Sequence, residues 1–260
     1  MRGLHRGYSF GERLESQPSR SAPAEQPAAA PSPLETWFDE HKEGRGVWKW
    51  RHYFDIYHRH FARFVGREIT MVEIGVFCGG SLGMWQSYFG PKCRIIGLDI
   101  LQHCRTYAGG QVEIMIGDQS DPDFLAQVRA AAPVVDIVID DGSHQPEHQI
   151  ASFEGLFPHL SPGGVYLCED IYASFNPFHD YMHGLTHRFN GMVPVPKPGV
   201  KNVHDGLYTN AVQREVQSVH HYPYVTVLEK RQRPVTEFSA PRMGTDWAGF
   251  QDAIRKMSGG

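Results

Sequence analysis

The stretch DIVIDDGSH, residues 136–144, ends one predicted strand, and GGVYLCEDI, residues 163–171, contains another. Each apolar run passes directly into acidic residues, Asp141 in the first and the pair Glu169 and Asp170 in the second. Continuous apolar runs of this length are typical of strands buried on both faces of a parallel sheet. If the two strands are neighbours, their carboxyl ends lie about 5 Å apart. The sequence therefore predicts an acidic site at one edge of a parallel sheet.

Strands and helices alternate through the middle of the chain. Strands are predicted at residues 70–74, 94–99, 112–116, 134–140 and 164–169, with helices notably at residues 123–131 and 145–157. This alternation predicts an α/β fold with a parallel sheet and right-handed crossovers. Residues 207–219 have a helical pattern. Two β-rich stretches follow at residues 219–230 and 235–238, and they indicate an antiparallel hairpin that closes the sheet.

Three further segments differ from this pattern. Residues 1–34 include a run rich in Pro, Ala and Ser and are predicted to form a disordered leader, so the folded domain is expected at residues 35–260. Residues 48–64 carry aromatic side chains at helical spacing. This pattern favours a core stripe, and the alternative is that Lys49 and Tyr53 stand at a cofactor pocket. Residues 173–210 form a long, aromatic-rich insertion that is either a lid or a variable surface loop.

Composition excludes several classes of protein. No stretch is long and apolar enough to span a bilayer, and the first residues lack a secretory signal. The net charge is −4 and the basic residues are scattered, which argues against a nucleic-acid partner. The four cysteines form no C-x-x-C pair, so a zinc site or a disulfide framework is not expected. These features predict a cytoplasmic protein with reduced thiols.

A glycine-rich turn, VEIGVFCGGS at residues 72–81, follows the first strand. Glycines let the backbone approach a ligand, and a helix beginning near Ser81 offers free N–H groups. The spacing is not G-x-G-x-x-G, which disfavours a nicotinamide dehydrogenase. Asp99 follows the second strand and suits ribose hydroxyls, whereas Asp118 and Gln119 follow the third and suit an adenine. Turn or capping roles are the alternative for these residues.

Three carboxylates at one edge, those of Asp141, Glu169 and Asp170, would repel one another unless a cation lay between them. Oxygen ligands favour Mg²⁺, or Mn²⁺. The alternative is that these acids cap the following helices and face water. His144 follows Asp141 on the same turn and can point at the same substrate oxygen. Its neutral imidazole is a candidate general base for a hydroxyl that the metal has acidified.

Five motifs together resemble the class I S-adenosylmethionine-dependent methyltransferases. They are VEIGVFCGGS, IGLDI, GDQSDP, DIVIDDGSH and GGVYLCEDI. More narrowly, the chain is similar to the metal-dependent macrolide-sugar and rhamnosyl O-methyltransferases and to their relatives that act on methylated polysaccharides. The resemblance covers roughly residues 48–230. It implies a Rossmann-like fold with a seven-stranded, mostly parallel sheet and one reversed strand.

The resemblance also implies roles for individual residues. Asp141, Glu169 and Asp170 are expected to hold Mg²⁺, with His144 as the general base. The residues expected to hold the methyl donor, S-adenosylmethionine, are Glu73, Gly75, Gly79, Ser81, Asp99, Asp118, Gln119 and Asp140. The expected partner is a small-molecule or oligosaccharide substrate, and a homo-oligomer is left open.

Three functions remain open at this point. The first is O-methylation of a mannose-like or rhamnose-like sugar in a glycoside, oligosaccharide or natural product. The second is O-methylation of a hydroxylated acceptor that is not a sugar. The third is a non-catalytic module that binds the adenosyl ligand, although an acidic trio would serve no purpose there.

Overall fold

A computed structural model describes residues 30–173, 175–191, 207–241, 243–245 and 249. The chain divides into two units, Met1–Ser32 and Pro33–Gly260, and every element below belongs to the second. The predicted leader lies outside the described residues as far as residue 29. Its last two residues, Pro33 and Leu34, begin a helix.

The described residues form nine strands. They are β1 (Ile69–Ile74), β2 (Cys93–Asp99), β3 (Val112–Ile116), β4 (Val135–Asp140), β5 (Leu160–Cys168), β6 (Leu207–Tyr208), β7 (Val216–Tyr222), β8 (Val225–Lys230) and β9 (Glu237–Phe238). Seven of them make one sheet in the order β3-β2-β1-β4-β5-β8-β7, and β6 pairs with β9 separately. Strands β1 to β5 are parallel to one another, and β8 is antiparallel to both of its neighbours. The predicted Rossmann-like sheet with one reversed strand is confirmed.

The described α-helices surround this sheet. They are α1 (Pro33–Glu40), α2 (Tyr53–Phe61), α3 (Gly80–Phe89), α4 (Pro122–Ala131), α5 (Pro146–Leu156), α6 (Pro177–His187) and α7 (Ala211–Glu215). Apolar side chains on the two sheet faces build two buried clusters, one packed with α2 and α3 and the other with α4, α5 and α6. None of these helices is long and apolar enough to cross a membrane.

One local prediction was wrong. Residues 207–219 are not one helix, because the short helix α7 is flanked by β6 and by β7, which pairs with β8. In the insertion predicted at residues 173–210, α6 occupies much of the described part. Asn176 caps α6 by accepting hydrogen bonds from the amides of Phe178 and His179. The Phe178 ring is fully buried in the core and is not available to a ligand.

Asp140, at the end of β4, is a buried carboxylate that three side chains hold in place. Its oxygens accept hydrogen bonds from Gln119 Nε2 at 3.0 Å, from the Tyr166 hydroxyl at 2.8 Å and from the Ser152 hydroxyl. Burial raises the pKa of Asp140, and the three donors oppose that rise. This network links β4, β5, α5 and the turn after β3 directly behind the carboxyl edge of the sheet.

Replacing Tyr166 with Phe removes one donor from this buried acceptor. We expect Tyr166→Phe to lower the free energy of unfolding by about 1.5–3 kcal/mol, as for hydrogen bonds to charged groups. Urea unfolding measures the change. Tyr181→Phe is the matched control, because its hydroxyl bonds Glu154 at the surface, and it should cost no more than about 0.5 kcal/mol. Equal losses in the two variants would contradict a special role for the Asp140 network.

Candidate active site

A cavity of about 740 Å³ opens at the carboxyl ends of β1, β2, β4 and β5. Its wall includes predicted donor-binding residues such as Gly75, Ser81, Asp99 and Asp118, and also all three predicted metal ligands and His144. Ligand pockets at this place are expected in open α/β sheets, where parallel strands end. The volume lies within the usual range of about 300–1,000 Å³ for small-molecule sites.

Close backbone approach shapes two sides of this cavity. Gly75 has a φ of +90°, and a Cβ there would lie 2.0 Å from the Asp141 carbonyl oxygen. A Cβ on Gly80 would lie 2.3 Å from the Gly46 carbonyl oxygen. Glycine is therefore required at both positions. The first contact joins the ends of β1 and β4, and the second holds the segment that carries Lys49 against the start of α3.

Asp99 organises the donor side of the cavity. Its Oδ2 accepts hydrogen bonds from the amides of Val76 and Phe77, both at 2.9 Å, and its Oδ1 accepts one from the Leu101 amide at 2.8 Å. Carboxylate oxygens have further lone pairs, so Asp99 can still accept hydrogen bonds from a ligand. Asp118 also lines the cavity. Hydrogen bonds from the Ser120 amide and hydroxyl lower its pKa, which keeps it ionised.

Three predicted donor-binding residues do not line the cavity. Glu73 is fully buried and accepts a hydrogen bond from Trp85 Nε1 at 2.8 Å, and burial raises its pKa to about 7. Gly79 is the N-cap residue of α3, and a Cβ there would lie 2.8 Å from the Tyr107 ring. Asp140 faces its own network. Glu73, Gly79 and Asp140 therefore stabilise the protein that surrounds the cavity, because their side chains or Cβ positions point into packed protein.

Gln119 lines the cavity, but neighbours already occupy its amide group. Its Oε1 accepts a hydrogen bond from the Ser143 amide at 2.7 Å, while Nε2 donates to Asp140 at 3.0 Å and to Ser152 at 3.2 Å. In the structure Gln119 bridges the Asp140 network and the turn that carries His144. Its contact with an adenine stays a prediction.

A lysine lies among the acids. The Lys49 ammonium donates to Asp141 Oδ2 and, at 2.8 Å, to Glu169 Oε2, and its side chain is only 3% exposed. Burial alone would lower the pKa of Lys49, but the two carboxylates outweigh that effect and raise it, so the amine stays charged. For Glu169 the effects have the opposite sign, because burial raises the pKa of this carboxyl group and the Lys49 ammonium opposes the rise. Lys49 thus supplies part of the positive charge that the acids require.

Two tyrosines on α2 complete the acid cluster. The Tyr57 hydroxyl donates to Glu169 Oε1 at 2.7 Å, and the Tyr53 hydroxyl donates to Asp170 Oδ1 at 2.6 Å. Both residues are buried, which confirms the predicted aromatic core stripe. Their hydroxyl groups nevertheless reach the acidic residues of the cavity. The sequence did not predict this role for Tyr57. The signal was present, since Tyr57 lies one helical turn after Tyr53 and both carry a hydroxyl.

Asp141 and Asp170 each keep one oxygen turned toward His144. Asp141 Oδ1 lies 4.0 Å and Asp170 Oδ2 lies 3.7 Å from His144 Nε2. These three side chains place one ligand atom each within 4.8 Å of one another. His144 has a φ of +56° and Asp170 a φ of +54°. Non-glycine residues adopt this backbone region at an energetic cost that clusters at functional sites.

The donor set fits a divalent cation. One oxygen each of Asp141 and Asp170 converge beside the His144 imidazole. Oxygen ligands suit Mg²⁺ or Mn²⁺, so the two carboxylates would hold the cation and His144 Nε2 would stay available as a base. Lys49 and Tyr57 donate hydrogen bonds to the two oxygens of Glu169, which lies outside this converging group. The role of Glu169 as a third metal ligand stays a prediction.

Comparison with known proteins identifies the class. Residues 72–171 match a family model described as a methyltransferase domain. These residues include the glycine turn, the Asp141–His144 turn and the Glu169–Asp170 pair. This part of the chain is therefore similar to a methyltransferase domain.

The relatives narrow the class. The 8-demethyl-8-alpha-L-rhamnosyl tetracenomycin-C 2'-O-methyltransferase of Streptomyces olivaceus is 36% identical over 205 residues, covering 73% of this chain and 53% of the relative. The demethylmacrocin O-methyltransferase of Streptomyces fradiae is 41% identical over 129 residues, covering 46% of this chain and 32% of the relative. The chain thus matches about half or less of these relatives. The predicted resemblance to rhamnosyl and macrolide-sugar O-methyltransferases is confirmed.

A solved structure agrees with this fold. The MycE methyltransferase from the mycinamycin biosynthetic pathway, in complex with Mg, SAH and mycinamycin VI, has a TM-score of 0.64 and 28% sequence identity. The alignment covers 86% of this chain and 58% of that one.

The charge balance of the site leads to a stability prediction. Lys49→Met leaves Asp141 and Glu169 close together without their ammonium partner, and we expect a loss of about 3–5 kcal/mol when metal is chelated. Thermal or urea unfolding in EDTA measures it. The exposed Lys92 provides the control, and Lys92→Met should change stability by no more than about 0.5 kcal/mol. If Lys49→Met proved as mild as the control, Lys49 would not neutralise the acids.

Proposed function

We propose that this protein transfers a methyl group from S-adenosylmethionine to a hydroxyl group of a sugar, with Mg²⁺ or Mn²⁺ required. One observation carries the proposal. The oxygens of Asp141 and Asp170 and the imidazole of His144 converge in the same cavity that Gly75, Asp99 and Asp118 line. A site that only bound an adenosyl ligand would not require this converging acidic group.

The donor half of the cavity suits S-adenosylmethionine. Gly75 leaves room for close approach to the backbone, and Asp99 presents a carboxylate to the ribose hydroxyls. Ser81 lies at the start of α3, where backbone N–H groups are free to meet a carboxylate. The solved relative holds SAH, the demethylated donor, together with Mg.

The acceptor half is rich in aromatic side chains. Trp48, Trp50 and Tyr172 line the cavity near the acids and are 92%, 49% and 43% exposed. The Tyr172 ring lies edge-on to His144 with centroids 6.4 Å apart. Flat apolar rings suit the apolar face of a sugar. The relatives act on rhamnosyl and macrolide sugars, and we expect a glycoside of this kind as the acceptor.

The residues of the chain divide the chemistry among them. When bound, the cation would make a contacted hydroxyl more acidic, and the sulfonium would present its methyl carbon to attack. Asp141 and Asp170 would hold the cation. His144 Nε2 accepts the hydroxyl proton while the acceptor oxygen forms a bond to the methyl carbon. The carbon–sulfur bond breaks, and its electron pair stays on sulfur.

Two further expectations accompany this function. We expect the protein to work in the cytoplasm, where the donor and Mg²⁺ are available. We leave a homo-oligomer open, since a second copy could complete the exposed acceptor side. Gel filtration with light scattering measures the oligomeric state.

Acceptor identity is tested by mass spectrometry. We expect a mass gain of one methyl group on rhamnosides, or on related deoxyhexose or mannose glycosides, when donor and Mg²⁺ are present. Catechols and other hydroxylated molecules that are not sugars form the comparison set. If only the molecules of that comparison set were methylated, the proposed sugar acceptor would be wrong, whereas the proposed methyl transfer from S-adenosylmethionine would stand.

His144→Ala tests the general base. We expect kcat to fall by about 10²–10⁴-fold with little change in donor affinity, because proton transfer belongs only to the chemical step. Steady-state kinetics and calorimetry of donor binding measure the two effects. His159→Gln is the control, since His159 bonds the Ala132 carbonyl at the opposite end of the sheet. If His144→Ala kept full turnover, His144 would not be the general base.

Metal removal tests the cation. EDTA should abolish turnover, and Mg²⁺ or Mn²⁺ should restore it. Asp170→Asn should raise the Mg²⁺ concentration needed for half-maximal activity, because it removes one anionic ligand. Activity that persists in EDTA would contradict a metal-dependent reaction.

A further inference from the structure

Three histidines form a second cluster among the described residues. His179 and His183 lie one turn apart on α6, and His221 lies on β7 at the edge of the sheet. Each offers one ring nitrogen, and these atoms lie within 4.8 Å of one another. The His221 ring centroid lies 5.1 Å from that of His179 and 5.2 Å from that of His183. The three imidazoles therefore surround one point at the surface.

The spacing within this cluster suits a tetrahedral metal ion. His179 Nε2 and His183 Nε2 are 3.2 Å apart. A tetrahedral zinc with bonds of about 2.0–2.1 Å places neighbouring ligand nitrogens about 3.3 Å apart. His183 and His221 are exposed, so small side-chain rotations can bring the third nitrogen to the same distance.

His221 carries the orienting contact that metal-binding histidines usually have. Its Nδ1 lies 3.1 Å from the Thr226 hydroxyl on β8. Donation from Nδ1 to that oxygen leaves the lone pair on Nε2 for a ligand.

A second histidine group nearby lacks these properties. His60 bonds Glu229 through Nδ1 at 2.9 Å and the Tyr222 hydroxyl through Nε2 at 3.0 Å, so both ring nitrogens are occupied. The Arg63 guanidinium lies 3.1 Å from the same Glu229 oxygen. A cation would meet a positive charge there. The His60 group is therefore an ion-pair network, and the comparison favours the cluster of His179, His183 and His221.

We propose that His179, His183 and His221 bind a divalent transition-metal ion of the zinc class, with water in the fourth position. Imidazole ligands select such ions over Mg²⁺. The ion ties α6 to the edge strand β7. Because α6 follows Asp170 and Tyr172 closely in the chain, occupancy fixes the helix that leads away from the acceptor side of the cavity.

Zinc binding to the full chain tests this proposal. Equilibrium dialysis in excess Mg²⁺ gives the zinc bound per chain for the wild type, His183→Ala, His221→Ala and His220→Ala. His220 is the matched control, because it neighbours His221 on β7 and its ring instead lies edge-on to that of His60, with centroids 4.8 Å apart. We expect the wild type and His220→Ala to hold one zinc more than the other two variants. In His183→Ala and His221→Ala the zinc affinity of this site should fall by more than roughly 10–100-fold, which is the usual loss when a residue that only contacts a metal ligand is mutated.

Thermal unfolding provides a second readout. Zinc should raise the melting temperature of the wild type and of His220→Ala, but not that of His183→Ala, whose exposed side chain can be truncated without loss of core packing. Circular dichroism checks that each variant is folded. Equal zinc stoichiometry in all four proteins, or loss confined to His220→Ala, would overturn the proposal.

Discussion

Buried negative charge is the constraint around which this site is organised. Parallel strands β4 and β5 end side by side, and the chain places Asp141, Glu169 and Asp170 at that edge. Such carboxylates cannot all remain ionised in a desolvated place without positive charge and hydrogen-bond donors. Lys49 and the hydroxyls of Tyr53 and Tyr57 provide part of both.

The strained backbone at His144 and Asp170 follows from the same constraint. Both residues adopt positive φ values and turn their polar atoms toward a shared point. The surrounding structure stabilises this arrangement, because Gln119 binds the Ser143 amide and Tyr53 binds Asp170. Rigid elements thus hold the reactive groups, which is what positioned chemistry requires.

The parallel sheet and the acidic edge could be predicted because their signals are local. Continuous apolar strands that end in acidic residues indicate both the fold and the site. The strand predicted at residues 112–116 has the same bounds in the structure, Val112–Ile116. The hydrogen bonds of Lys49 to Asp141 and of Tyr57 to Glu169 are harder to predict, since these partners lie 92 and 112 residues apart along the chain. Side-chain roles were also hard to predict. Asp140 and Glu73 lie in the expected motifs, yet their carboxylates are fully buried in packed protein.

Gln119 has a consequence for how this scaffold can diversify. One amide joins the loop on the donor side to the turn that carries the base, through Asp140 and Ser143. A substitution there perturbs both halves of the cavity together. Substitutions at the exposed residues Trp48, Trp50 and Tyr172 leave this buried network unchanged. Such substitutions are therefore the easier route to a different acceptor specificity.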